Sequence, residues 1–426
     1  MSAQPSHALR RVRAGFAAAA LAATASCSGG GEPAVNASEP GEARAVRLGI
    51  DVLLSQRIEL VEGKRVGLIT NPSGVDHKLV PTADRLARDE RIELVQLFGP
   101  EHGIRGEVNA GDEVDDEVDP VTGLPVESLY GSSKRPSAEA LARIDVLLFD
   151  IQDVGSRTYT YVSTLGEALY AAAEAGVQVV VLDRPNPLGG ELVEGPIREE
   201  QWKSFISWGP VPVVHGMTAG ELALLFNEEL EIGADVEVVP VGGWSRSMQW
   251  EDTGLTWVQT SPHIPHPLQA HVYVATGMIG GVTENVNEGV GYTIPFETLA
   301  ADFVDARDFA RALSAARLPG VRFQPIAYLP YYGRHEGQPM RGVRLILSDR
   351  RAFRPLRTAL TAMVALEDLY PGKALYKDGR PFAIHWGNEH ILERIRAGGS
   401  VAGIEAEWAD ELERFRESRK RFLLYD

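Results

Sequence analysis

An open parallel α/β sheet followed by a smaller α+β domain is the fold this sequence predicts, on three observations. Branched apolar runs of strand length recur at residues 65–71, 92–98, 146–149 and 177–182. Helix-length stretches separate them, so strands and helices alternate and the strands must run parallel with both faces covered. Each run ends in a polar loop punctuated by Gly or Pro, and after about residue 299 this regular alternation thins out. The sheet is Rossmann-like but carries no nucleotide site. Gly67 lies inside its strand, no G-x-G-x-x-G opens a helix, and there is no Walker motif.

Composition bounds the rest. With 426 residues, 44% of them hydrophobic and 24% charged, the chain has material for two real cores. A formal net charge of -17 argues against nucleic acid or an anionic membrane as partner, since no basic patch is present to displace counterions from phosphate. Residues 1–27 read as a targeting leader: Arg10, Arg11 and Arg13 precede an apolar stretch at 14–25 that is too short to span a bilayer. Cys27 is the only cysteine, so no internal disulfide forms. Its setting resembles a bacterial lipoprotein attachment site, with Thr24 where leucine is usual, and cleavage with secretion is the alternative. Residues 28–45 are a Gly-, Pro-, Ser- and Glu-rich tether, 46–298 the sheet domain and 299–426 the smaller domain. Any membrane association would run through the lipid anchor, and oligomeric state is not legible.

Taken in order, the strand at 65–71 ends at Asn71, Pro72, Ser73 and Gly74, and 83–88 is helical. The run 92–98 stops at Gly99-Pro100, which cannot continue a ladder, and so delivers Glu101 and His102 just past its carboxyl end. That edge is where ligands bind in open α/β sheets. Glu101 is either a reacting acid or a turn cap, or a partner for Arg105. A helix near 138–143 leads to 146–149, whose exit carries Asp150, Gln152, Asp153, Arg157, Tyr159 and Tyr161 around Gly155. So many polar groups must meet water, each other or a ligand. The alanine-rich helix 165–175 and the strand 177–182 follow.

The loop 183–196 holds Asn186 stiffly between two prolines, suited to a sugar hydroxyl or acetamido group or simply to the loop itself, and also carries Glu194. A short strand at 211–215 exits at His215, and Thr218 with Glu221 three residues on caps the helix 219–230. Histidines 263, 266 and 271 tempt a metal reading. Prolines 262, 265 and 267 forbid the helix on which His263 and His266 would share a face, and no cysteine or nearby carboxylate completes a set. Residues 285–297 interleave Asn285, Asn287, Glu288 and Tyr292 with Gly289 and Gly291. Beyond, 321–329 and 342–347 read as strands and 355–369 as a helix, with Ile404, Trp408, Leu412 and Phe415 on one apolar helical face. Tyr328, Tyr331, Tyr332 and Trp386 either stack sugars or fill the interior.

Six stretches taken together resemble the exo-β-N-acetylmuramidase family of glycoside hydrolases. They are GLITNPSGVD (67–76), IELVQLFGPEHGIRGE (92–107), VLLFDIQDVGSRTYTYVSTL (146–165), DRPNPLGGELVEGP (183–196), HGMTAGELALLFNEE (215–229) and NVNEGVGYTIPFE (285–297). The resemblance implies a cofactor-free exo-acting hydrolase that removes N-acetylmuramic acid from muropeptides or disaccharides derived from peptidoglycan, outside the cytoplasm. It also marks departures. The segment SPHIPHPLQAH (261–271) normally reads closer to Pro-Ser-Pro-Asn, and Val290 stands where the family has arginine, for which Arg157 and Arg184 are the candidate substitutes as carboxylate holders.

Glycoside cleavage needs an acid still protonated near neutrality and a second carboxylate. Glu101 is the expected general acid, with Asp153 or Glu288 as the second group. His102, Asp150, Gln152, Arg157, Tyr159, Asn186, His215 and Asn285 are expected to bind and orient substrate, with no metal. Two rivals are a non-catalytic peptidoglycan-binding or sugar-binding lipoprotein and a metal-dependent hydrolase.

Overall fold

A computed structural model describes residues 46–106, 117–131 and 133–426; the predicted leader, Cys27 and the tether lie outside them. The main sheet contains β1 (Arg65–Thr70), β2 (Glu93–Gly99), β3 (Glu117–Val118), β4 (Pro125–Ser128), β5 (Val146–Asp150) and β6 (Gln178–Leu182). After a ribbon of β7 (Glu194–Ile197) and β8 (Pro212–Val214), it is completed by β9 (Val236–Val239). The order is β3-β4-β2-β1-β5-β6-β9, parallel throughout except for the short pairing of β3 with β4.

Alternation along the strands explains why they are apolar at nearly every position. Val66 and Leu68, Val146 and Leu148, and Val180 and Leu182 face one core with the helices Gly49–Gln56 and Thr82–Arg88. Ile69, Leu147, Phe149, Val179 and Val181 face the other, with the helices Tyr161–Ala175 and Ala219–Glu229. A parallel sheet covered on both faces needs this. Gly67 is a packing glycine: a Cβ there would come within 2.7 Å of the Ile144 side chain. The helix Ala219–Glu229 begins at the predicted capping box of Thr218 and Glu221.

Two expectations change. The proline-rich segment is not free of helix to its end, because Pro267 takes the first turn of the helix Pro267–Gly280, where its missing N–H is no loss. The stripe from Ile404 to Phe415 is split between the helices Val401–Ala406 and Ala409–Ser418, although all four residues are buried.

A second, antiparallel sheet of β10 (Thr298–Ala301), β11 (Val321–Tyr328) and β12 (Met340–Leu347), in the order β10-β12-β11, forms the smaller layer. One apolar core continues from the main sheet through the helix Pro267–Gly280 to this sheet and the helix Pro355–Leu369.

The last residues reach back to the main sheet. The Leu424 N–H donates to Glu221 at 2.9 Å, the Tyr425 hydroxyl donates to Asp183 at 2.5 Å, and the Arg246 N–H donates to the Asp426 carbonyl at 2.7 Å. Asp183, at the end of β6, also accepts from the Thr218 hydroxyl at 2.6 Å and the Gly220 N–H at 2.9 Å.

From β1 the chain moves one way to β2, then crosses back to β5 on the other side of β1. The carboxyl ends of these three strands therefore flank a crevice at a topological switch point.

Candidate active site

Glu101 stands in that crevice. Gly99-Pro100 ends β2, and the turn closes with the Gly103 N–H on the Pro100 carbonyl at 2.9 Å. His102 and Gly103 both hold positive φ, 73° and 69°. A left-handed histidine is sparsely populated backbone of the kind found at functional sites. The Glu101 carboxylate accepts from the Thr160 hydroxyl at 2.8 Å, so the loops after β2 and β5 meet across the end of β1. Burial, together with the nearby charge of Glu101, pushes the Tyr130 hydroxyl up to about 12. Arg105, the alternative partner, is instead held by Asp84 at 2.7 Å and Asp119 at 2.8 Å.

Around Glu101 lies a cleft of about 220 Å³, lined by His102, residues 158–161, Ser261, His263, Ile264, Tyr273 and Phe296. Its aromatic wall is tightly organised. Tyr159 meets Tyr161 and Tyr273 edge-on at 5.0 and 5.6 Å, and Tyr273 meets Phe296 at 4.9 Å. Thr260 fixes two of these rings, its hydroxyl 2.5 Å from that of Tyr159 and its carbonyl accepting from Tyr161 at 2.7 Å. Burial pushes the Tyr273 hydroxyl up to about 12, and the charges of Glu101 and Asp153 both add to this. The same two carboxylates act on Tyr161, so the tyrosines lie within electrostatic reach of both acids.

Asp153 is 8% exposed and does not line the cleft. Its Oδ2 accepts from the Gly155 N–H at 2.6 Å, while Oδ1 is buried without a partner, and burial pushes the carboxyl up to about 7. His215 faces it, Nε2 to Oδ2 at 3.9 Å. The His215 Nδ1 accepts from the Met217 N–H at 3.1 Å, which places the ring proton on Nε2, toward Asp153. Burial first, then Arg419 and Arg157, pull this imidazole down to about 3, so it is neutral.

Of the expected site residues, Glu101, His102 and Tyr159 share the cleft, and Asp153 with His215 forms the neighbouring pair. The others have different employment. Asp150 is fully buried in a two-point pair with Arg184, at 2.6 and 3.0 Å, and accepts from Thr82 at 2.5 Å. Gln152 donates to the carbonyls of Asp153 and Pro185, both at 2.8 Å. Arg157 is 0% exposed and gives its donors to the carbonyls of Pro196, Val211 and His385. Neither Arg157 nor Arg184 is therefore placed to replace the cation missing at Val290. Asn186 braces its own loop, donating to the Met217 carbonyl at 3.0 Å and accepting from the Leu188 N–H at 2.9 Å. Asn285 ties down Lys373 and Leu375. Glu288 packs on Gly280 and pairs with Arg334 at 3.3 Å, and burial raises its carboxyl.

Among the described residues, Asp51, Asp76 and His77 have ligand spacing, but the Arg85 guanidinium already pairs with Asp76 and reaches Asp51 at 3.5 Å. Sequence reasoning missed Tyr130, Thr160, Thr260, Tyr273 and Phe296 as site residues. Thr160 and Phe296 carried a signal, Thr160 sitting between Tyr159 and Tyr161 and Phe296 near the end of the stretch 285–297, both already singled out.

A cleft walled by tyrosines, with Glu101 from the exit of β2 inside it and Asp153 from the exit of β5 behind its wall, is equipment for handling a sugar, and the class is an α/β glycoside hydrolase. Family models described as exo-beta-N-acetylmuramidase NamZ, N-terminal and C-terminal, match residues 66–268 and 271–425. The chain belongs to the exo-β-N-acetylmuramidase family. It is 44% identical over 380 residues to the peptidoglycan beta-N-acetylmuramidase NamZ of Bacillus subtilis (strain 168), covering 89% of this chain and 91% of that one. Two crystal structures of DUF1343 family proteins from Bacteroides fragilis share the fold. One has a TM-score of 0.83 at 39% identity, covering 90% of this chain and 99% of that one. The other has a TM-score of 0.73 at 26% identity, with 89% and 99% covered.

Proposed function

We propose that this enzyme releases non-reducing-terminal N-acetylmuramic acid from peptidoglycan fragments, with Glu101 as general acid. The observation that carries the assignment is the seat of Glu101 in a cleft of about 220 Å³. That is below the roughly 300–1,000 Å³ that encloses drug-sized ligands, so the cleft has room for one terminal ring rather than a run of chain. Glu101 gives its proton to the glycosidic oxygen as the bond to the anomeric carbon breaks, and water supplies the new hydroxyl. Asp153 is the better second carboxylate. Its Oδ1 has no partner and its carboxyl is pushed up to about 7, whereas Glu288 is paired with Arg334. Asp153 acts from behind the cleft wall, its charge reaching Tyr161 and Tyr273 and favouring the oxocarbenium-like transition state, while the attacking water releases its proton to solvent. His215 acts through Asp153 as a positioning residue.

A chromogenic β-N-acetylmuramide tests this directly. The parent should release the chromophore, and Glu101→Gln should lose about 100-fold or more in kcat with its melting temperature kept, in line with general-acid contributions of roughly 10²–10⁴. Failure of the parent to turn over, or a variant as fast as the parent, overturns the assignment. We also propose export and lipidation at Cys27, supported by Arg10, Arg11 and Arg13 ahead of the apolar stretch. On this reading, Cys27→Ser moves the protein from the membrane fraction to the soluble one.

A further inference from the structure

The large exposed hydrophobic side chains of the described surface include two aromatics, and these are adjacent: Tyr331 and Tyr332, 58% and 41% exposed, in the loop between β11 and β12. They belong to a row. Tyr331 lies 5.5 Å from Tyr332 and 6.2 Å from Tyr292, which stacks on Tyr328 at 4.8 Å. At the other end Tyr332 lies nearly parallel to His263, 16° apart with centroids at 6.1 Å, and its hydroxyl sits 3.0 Å from the His263 Nε2. His263 lines the Glu101 cleft together with His102. The aromatic row is thus continuous with the cleft.

The loop that carries these rings is fixed to its surroundings. The Tyr331 N–H donates to the Gly291 carbonyl at 2.9 Å, the Gly337 N–H to the Pro330 carbonyl at 2.9 Å, and the Tyr328 hydroxyl to Asn287 at 2.5 Å. Gly291, at φ 94°, lets the two loops approach so closely that a Cβ would lie 2.3 Å from the Tyr332 carbonyl oxygen. Rigid, solvent-facing rings expose apolar area that water disfavours, and a pyranose presents a flat face of C–H groups that covers such a ring without stripping its hydroxyls of water.

We propose that Tyr331 and Tyr332 form a platform for the sugar ring on the leaving-group side of the cleaved bond. This rests on the function proposed above: the terminal ring fills the cleft, and its neighbour must leave along the wall that His263 and Tyr332 continue. The platform makes a longer glycan a better substrate than one ring on a synthetic leaving group.

The full chain and its Tyr331→Ala and Tyr331→Trp variants should be assayed on the aryl β-N-acetylmuramide and on a tetrasaccharide of alternating N-acetylmuramic acid and N-acetylglucosamine. Tyr331→Ala should lower the ratio of kcat/KM for the tetrasaccharide to that for the aryl substrate about tenfold, through KM, and Tyr331→Trp should preserve it. An unchanged ratio, or an equal loss on both substrates, overturns the platform. Calorimetric titration of the tetrasaccharide into Glu101→Gln, with and without Tyr331→Ala, separates the two proposals. If the parent cleaves neither substrate, the hydrolytic assignment fails while a roughly tenfold weaker Kd with Tyr331→Ala still supports the platform; equal Kd values reject it.

Discussion

Asp153 and His215 respond to acid in opposite directions. Burial raises the Asp153 carboxyl to about 7, so between about 4 and 7 the folded chain keeps a proton that the unfolded chain has released, and its contribution to stability falls as pH rises through that window. His215, pulled down to about 3, refuses in the folded state a proton that the unfolded chain accepts below about 6.5, and its contribution is lost as pH falls from there toward 3. Asp153→Asn should therefore melt above the parent at pH 8 and by a smaller margin at pH 5, which scanning calorimetry reads. Glu101 was legible because Gly99-Pro100 stops a strand and leaves the next residue at the sheet edge. What displaced Arg105 as its partner was not. Asp84 and Asp119 flank Arg105 in the sequence, but only the fold shows that they, and not Glu101, hold its guanidinium. Arg157 shows the same blindness: an arginine whose donors end on three buried carbonyls looks, in one dimension, like one waiting for a substrate.

Elements were legible where hydrophobic period and caps agree. The strands β1, β2, β5 and β6, and the helix opened by Thr218 and Glu221, are the cases. Thr218→Ala should cost about 1–2 kcal/mol, since it removes a cap and one of the donors to Asp183, and urea denaturation measures it. The helix Pro267–Gly280 escaped because it is buried nearly all round, which leaves no polar stripe to give away its turn. In the sequence Asp150 reads as a ligand group because it ends a strand close to Asp153, yet its pair with Arg184 joins the exit of β5 to that of β6. Asp150→Ala should destabilise the fold by about 3–5 kcal/mol, the usual effect of stranding one member of a buried pair. A soluble, fully stable Asp150→Ala protein with weakened substrate binding would return Asp150 to the substrate-binding group.

At the scale of the whole molecule, the order of the strands decides where the cleft opens, and alternating strands and helices make the parallel sheet readable in the sequence. The antiparallel second sheet was read only in part, because β10 is four residues long and carries no alternation. Exhaustive dialysis against a chelator should leave turnover of the aryl muramide unchanged, as a metal-independent acid mechanism requires. The hold of Tyr425 on Asp183, across 242 residues, has a consequence for biosynthesis. At roughly 5–20 residues per second, the carboxylate emerges from the ribosome some 12–50 s before its last donor. Until then the buried carboxylate has its donors from Arg184, Thr218 and Gly220 but lacks the fourth, so the end of β6 reaches its full set of hydrogen bonds only once Tyr425 has been made.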